Sequence, residues 1–260
     1  MELLEDIVYK VKEKIPEIED LGLLYGKMGI AVFFFHYAQH TGLKKYEDTG
    51  NELIESIFED VNEITPVNFV SGLAGIGVGI EYLLQNKFIA GNGNEILEEI
   101  DECIFEELIY RENIDCSLEY GLCGLGKYYL YRVNNKESYQ EDLLTVRNRQ
   151  NIIYLLDRLE SKKELSVVNP QQILHLLIQL YNVNVFNVKV EKLIRFFQND
   201  YKTELLKLKK DTILKTNEIT KSLLFAQPEG IGLSKGLIKT GLSLMSYQDR
   251  SSLNWIDLIF

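Results

Sequence analysis

Two cysteines seven residues apart, Cys116 and Cys123, have the first spacing in this 260-residue chain that could do chemistry. Thiolates are strong zinc ligands, and His175 or His36 would complete such a site. The plainer reading packs Cys123 as a small hydrophobe. His36 and His40 stand four apart, so a helix would present both on one face as a metal pair. No carboxylate or third histidine beside them completes a motif, and polar contacts are the alternative. Glu81 lies within the apolar run VGIEYLL, while Glu119 and Glu229 lie beside glycine loops. Two carboxylates facing one cavity can hydrolyse a glycosidic bond, one as acid and the other as nucleophile or base. Alone, Glu81 would cap a neighbouring helix end or line a wet central channel, because a buried charge needs a partner but not a reaction.

A recurring glycine phrase must position these groups. It reads Gly26-Lys27-Met28-Gly29-Ile30-Ala31, Gly72-Leu73-Ala74-Gly75-Ile76-Gly77 and Gly121-Leu122-Cys123-Gly124-Leu125-Gly126, with a looser copy from Gly236 to Gly241. Each copy opens an apolar segment. The opening glycines are 46, 49 and 115 residues apart, and the last gap holds about two periods. An eroded unit is therefore expected at 170–181, PQQILHLLIQLY, which keeps helical apolar spacing without the glycines. Five units result.

A charged amphipathic segment follows each apolar one, at 46–63, 94–110, 140–160 and 187–209. In 94–110, Ile96, Leu97, Ile100, Cys103, Ile104 and Leu108 form one stripe at spacings of three and four, with Asn94 as the expected N-cap. The acidic run 95–107 reads as a solvated face. Each unit is thus a helical hairpin, apolar helix inside and charged helix outside, and strands should be rare. Glycine in a helix costs about 1 kcal/mol relative to alanine. Either backbones must approach closely or the opening turns need positive φ.

The net charge of −11 and pI of about 4.9 repel phosphate backbones and anionic lipid, so nucleic acid and membrane partners are excluded. The acidic start MELLEDIVYK does not read as a secretory signal, and no apolar stretch is long enough to span a bilayer. Three cysteines fit a reducing cytoplasm rather than a disulfide framework. Against the acidic background, 185–225 carries nine basic and five acidic residues, a patch suited to an acidic peptide or protein surface, or simply a solvated helix. The apolar end at 253–260 should dock, either to close the ring of hairpins or as a contact between copies of the chain.

Glycine phrases of this form leading apolar helices at about 50-residue spacing resemble the lanthionine synthetase C-like family. The segments LYGKMGIAVFFFHYAQHTG and VSGLAGIGVGIEYLL carry most of the likeness. The resemblance implies an all-α fold, here an incomplete α/α toroid of about five inner and outer hairpins forming one domain over 1–260. It also implies peptide modification. In the family a zinc ion activates a peptide cysteine for addition to a dehydrated serine or threonine, giving a thioether ring. The implied ligands are one loop cysteine, usually after a tryptophan, and a Cys-His pair just before an opening glycine.

Those ligands do not carry over. The pairs before the opening glycines are Leu24-Tyr25, Val70-Ser71, Glu119-Tyr120 and Ser234-Lys235, and the single tryptophan, Trp255, precedes Ile256. The expectation is a cytoplasmic member without the zinc centre and with no cofactor, binding a peptide or a peptide-maturation protein. Two alternatives place chemistry elsewhere. One is a cyclase with zinc on Cys116, Cys123 and a histidine. The other is a sugar hydrolase using Glu81 and Glu119.

Overall fold

The computed structural model of the chain describes residues 2–134, 143–162, 170–199, 230–234, 236–249 and 254–259. Glu229, the part of the basic stretch beyond Asn199 and residue 253 lie outside the described residues. Every regular element among the described residues is helical. The fold is all-α, built from the paired helices of an α/α toroid. No described helix is long and apolar enough to cross a membrane.

Eleven α-helices are described: α1 (Glu2–Lys14), α2 (Lys27–Thr41), α3 (Lys44–Asp60), α4 (Leu73–Gln85), α5 (Gly93–Ile96), α6 (Glu98–Tyr110), α7 (Leu122–Val133), α8 (Leu143–Ser161), α9 (Pro170–Asn182), α10 (Asn187–Asn199) and α11 (Leu237–Asp249). They fall into two compact units. One holds the described residues of Met1–Thr65 and Leu208–Phe260, the other those of Pro66–Lys207.

In the second unit α4, α7 and α9 pack in sequence, and α6, α8 and α10 flank them. The packed helices are those that the glycine phrase and its eroded copy predict. From Leu122 to Leu130 every residue of α7 is buried. The later glycines of the phrase receive side chains from the next helix. A Cβ on Gly77 would strike the Tyr128 ring of α7, and one on Gly126 the Leu176 side chain of α9. Arg158 on α8 caps α6, donating to the carbonyls of Leu108 at 2.9 Å and Arg111 at 2.6 Å, which the helix end leaves without partners.

The first unit pairs α2 with α3 and sets α11 against α2. Helix α2 is apolar on most sides, and Phe33 and Phe34 are fully buried in it. Gly50 on α3 leaves room for the Phe35 ring. Lys27 at the start of α2 reaches Asp60 Oδ2 at 2.7 Å and Ser56 Oγ at 2.8 Å near the end of α3, as an antiparallel hairpin requires. The partner of α11 is α1, so the chain's first helix completes its last glycine-led hairpin. The apolar C-terminal residues dock within this unit: Trp255, Leu258 and Ile259 are buried, and Trp255 Nε1 donates to Ser246 Oγ at 3.1 Å.

The segment 94–110 departs from its expected form. It breaks into α5 and α6 at Leu97. Asn92 is the N-cap, its side chain accepting from the Asn94 N–H at 3.1 Å. Asn94 instead turns its amide oxygen to Arg132. Cys103, expected on the apolar stripe, is exposed, while Asp101, within the acidic run, is 2% exposed. The stripe that packs is Leu97, Ile100, Asp101, Ile104 and Leu108, one helical register with a carboxylate in it.

Candidate functional site

The glycine loops are one device used four times. In every copy the first helical residue donates its N–H to the carbonyl seven residues back: Lys27 to Asp20 at 2.8 Å, Leu73 to Pro66 at 2.8 Å, Leu122 to Asp115 at 2.9 Å and Leu237 to Gly230 at 3.0 Å. A Cβ on the glycine between them would collide with that carbonyl oxygen in every copy. Gly26, Gly72 and Gly121 share one extended conformation, with φ from −112° to −123°. Close approach of the loop's own backbone therefore demands these glycines. Only Gly236, at φ +121°, also needs a conformation that other residues rarely adopt.

Neighbouring loops interlock the same way in both units. The N–H groups of Phe69 and Val70 share the Glu119 carbonyl at 3.1 and 3.3 Å, and those of Leu233 and Ser234 share the Leu24 carbonyl at 2.8 and 3.4 Å. The second glycine of the receiving phrase lets the loops touch. A Cβ on Gly124 would stand 2.8 Å from Phe69 Cβ. Tyr25 and Tyr120, just before two of the opening glycines, face outward, 46% and 55% exposed.

The third loop brings together three of the sequence candidates, Cys116, Glu119 and Cys123. Cys123 is 1% exposed and fills the phrase's alanine position. Burial holds its thiol well above the ordinary range, and Cys116, Asp115 and Glu119 add to the rise. Burial also raises Cys116, against the pull of Lys162. Both groups are thiols at neutral pH, the opposite of an activated nucleophile. Gln172 of α9 accepts from the Leu118 N–H at 2.9 Å, and His175, half-buried, lies one turn further along that helix.

Glu81 is elsewhere. It is fully buried in the last two turns of α4, whereas Glu119 joins the loops at that helix's other end. The eight residues from Leu73 to Glu81 span roughly 12 Å of helix. The two carboxylates of the hydrolase reading are not brought to one place.

Glu81 meets Arg132 of α7 instead. Arg132 Nη1 donates to Glu81 Oε1. Its Nε and Nη2 reach the two Asp101 oxygens at 3.0 and 2.7 Å, and Nη2 also reaches Asn94 Oδ1 at 2.8 Å. Tyr128 donates to Asp101 Oδ1 at 2.6 Å, and Gln85 donates to Glu81 Oε2 at 3.3 Å. Burial pushes the Glu81 carboxyl up although Arg132 pulls it down. A Cβ on Gly93 would stand 2.7 Å from Glu81 Oε1, so the cluster packs directly against that glycine. All three guanidinium nitrogens are taken up by protein oxygens, so the cluster is a clasp joining α4, α5, α6 and α7. Sequence reading missed Arg132 and Asp101. The available signal was an aspartate in the register of Leu97, Ile104 and Leu108.

His36 lies on α2 in the other unit, where burial pushes its imidazole down to about 4; His40 is in the same helix's last turn. An unfolded histidine protonates near 6.5, so between 6.5 and 4 the unfolded chain takes up a proton that the folded one refuses. Stability from this group is complete above pH 6.5 and falls as pH drops toward 4, by up to about 3 kcal/mol. Trp255, the single tryptophan, reports the same unit. Denaturant unfolding followed by its fluorescence should show this slope in the native chain and a flatter one in His36→Gln.

The donor set does not fit zinc bound as the resemblance implies. All three cysteines and all three histidines lie among the described residues. No group of three or more His, Cys, Asp or Glu side chains among the described residues is placed to hold a metal ion. The Leu24 and Glu119 carbonyls at the expected ligand positions are committed to the neighbouring loop.

The family model for the lanthionine synthetase C-like protein matches residues 17–205. No curated protein matches the chain. The matched span covers well over half of the sequence and contains three glycine phrases, the eroded unit and the clasp. This chain therefore belongs to the lanthionine synthetase C-like family.

Proposed function

We propose that this chain is a binding or accessory module of peptide modification, working beside a peptide-maturation enzyme and not itself a zinc-dependent cyclase. One observation carries the reading. The loops that open the inner helices keep the same opening hydrogen bond, from the first helical N–H to the carbonyl seven residues back, in all four copies, yet the side chains before the opening glycines supply no sulfur or imidazole. The fold's framework is retained and its ligand set is not. The exposed rings of Tyr25 and Tyr120 at those positions support contact with apolar side chains of a peptide.

Metal analysis of the purified chain and incubation with a peptide containing a cysteine and a dehydroalanine test this. We expect well under one zinc per chain and no thioether formation above the buffer rate, with the peptide binding measurably by calorimetry. Stoichiometric zinc together with ring formation would overturn the reading. The displaced cyclase is favoured by one observation, that Cys116, Cys123 and Glu119 share a loop. It predicts that Cys123→Ala abolishes both zinc binding and ring formation.

A further inference from the structure

Cys116 and Cys123 occupy the two positions of the third glycine loop that face each other in the other copies, and Cys116 is near enough to act on the Cys123 thiol electrostatically. Counted from the opening glycine, they are the fifth residue before it and the second after it. In the other three copies a backbone hydrogen bond joins those two positions: Met28 N–H to Leu21 at 3.2 Å, Ala74 to Val67 at 3.3 Å and Ile238 to Ile231 at 3.0 Å. In the third copy the adjoining bond, Leu122 N–H to Asp115 at 2.9 Å, holds the loop in the same register. A disulfide needs two Cα atoms about 4.4–6.8 Å apart, a separation that neighbouring hydrogen-bonded backbones provide. Neither cysteine is joined in a disulfide, and both are buried in this one loop.

We propose that Cys116 and Cys123 are a redox modification site, a dithiol that low-molecular-weight disulfides convert reversibly to a disulfide across the third glycine loop. Cys116 is the attacking group. It is the less buried of the two, at 7% against 1%, and lies between the exposed Asp115 and the half-buried Ser117. Its thiolate attacks one sulfur of the small disulfide and expels one thiolate. Cys123 then attacks the Cys116 sulfur of the mixed disulfide and expels the second. One sulfur–sulfur bond breaks and one forms. The two protein thiols lose two protons and two electrons, and the small molecule leaves as two thiols. Because burial keeps both groups protonated, the exchange is slow at neutral pH and faster as pH rises. The exposed Cys103 on α6 has no part in it.

The test equilibrates the full chain in glutathione buffers from fully reduced to fully oxidised, at pH 8. It then traps free thiols with an alkylating agent after denaturation. Trypsin leaves both cysteines in one peptide, Glu112–Lys127. We expect the free thiols of Cys116 and Cys123 to disappear together, whether or not the exposed Cys103 takes up glutathione, that peptide to appear unalkylated and lighter by two hydrogens, and dithiothreitol to restore it. Cys123→Ala, which restores the alanine of the phrase, should instead trap glutathione on Cys116 and form no internal bond. Three free thiols at every poise would overturn the proposal. So would glutathione adducts without the internal bond in the native chain, or a bond involving Cys103.

Discussion

Replacing Arg132 with methionine is expected to cost the chain about 3–5 kcal/mol, because it leaves two buried carboxylates without their cation. Glu81 and Asp101 are 0% and 2% exposed, so water cannot replace the guanidinium unless the helices part. Arg132 contacts residues on α4, α5 and α6 at once, so its loss should loosen three packing contacts together. Chemical denaturation followed by circular dichroism measures the effect. The triple variant Glu81→Gln, Asp101→Asn, Arg132→Met should recover much of the loss, since it removes the stranded charges as well. If the single variant unfolds at the native denaturant concentration, the clasp does not hold the unit together.

Gly72→Ala is the second large effect, expected to remove about 3 kcal/mol or more. The glycine's own φ of −118° is open to any residue, so dihedral strain is not the cause. The added methyl would strike the Pro66 carbonyl oxygen, which is fixed by the bond it accepts from Leu73. That atom belongs to the backbone and cannot swing aside as a side chain would. Relief must break the loop's hydrogen bond and shift Phe69, which in turn holds the Glu119 carbonyl of the next loop. Hydrogen exchange at the Leu73 and Phe69 amides should accelerate in step with the loss of stability. Gly42→Ala, at φ +69° but with open space around it, should cost only the price of a left-handed alanine, about 1 kcal/mol. Equal losses at the two positions would refute the steric account.

The glycine phrase by itself makes much of this architecture legible. It located four of the inner helices, and the interval between its third and fourth copies located α9 as the eroded fifth. The physical basis is local. Each opening glycine answers to a carbonyl six residues back in the same loop, and each inner helix is marked by its own apolar composition. Of the two expected reasons, close approach holds in all four copies and positive φ at Gly236 alone. The opening glycines of the first three copies serve close approach of their own loop, not a left-handed turn.

Pairings through space were not legible. Nothing in the phrase spacing assigns α1 to α11, because that contact joins the two ends of the chain. Nothing in VGIEYLL names Arg132 as the partner of Glu81, 51 residues away. Asp101 looked like one more acidic residue on a solvated helix, and Cys103 like part of its apolar stripe. Which side of a helix is buried depends on the rotation set by its neighbours, here the Tyr128 and Arg132 side chains of α7.

For the site, the sequence by itself determined which donors exist: three cysteines, three histidines and no Cys-His pair before any opening glycine. Composition is conserved on folding, so a ligand absent from the chain cannot be supplied by its tertiary structure. Only the tertiary structure decided where those donors meet. It set Cys116 against Cys123, kept Glu81 from Glu119 and spent Glu81 on an arginine. Helix packing fixes such distances, and a one-dimensional string does not encode them residue by residue.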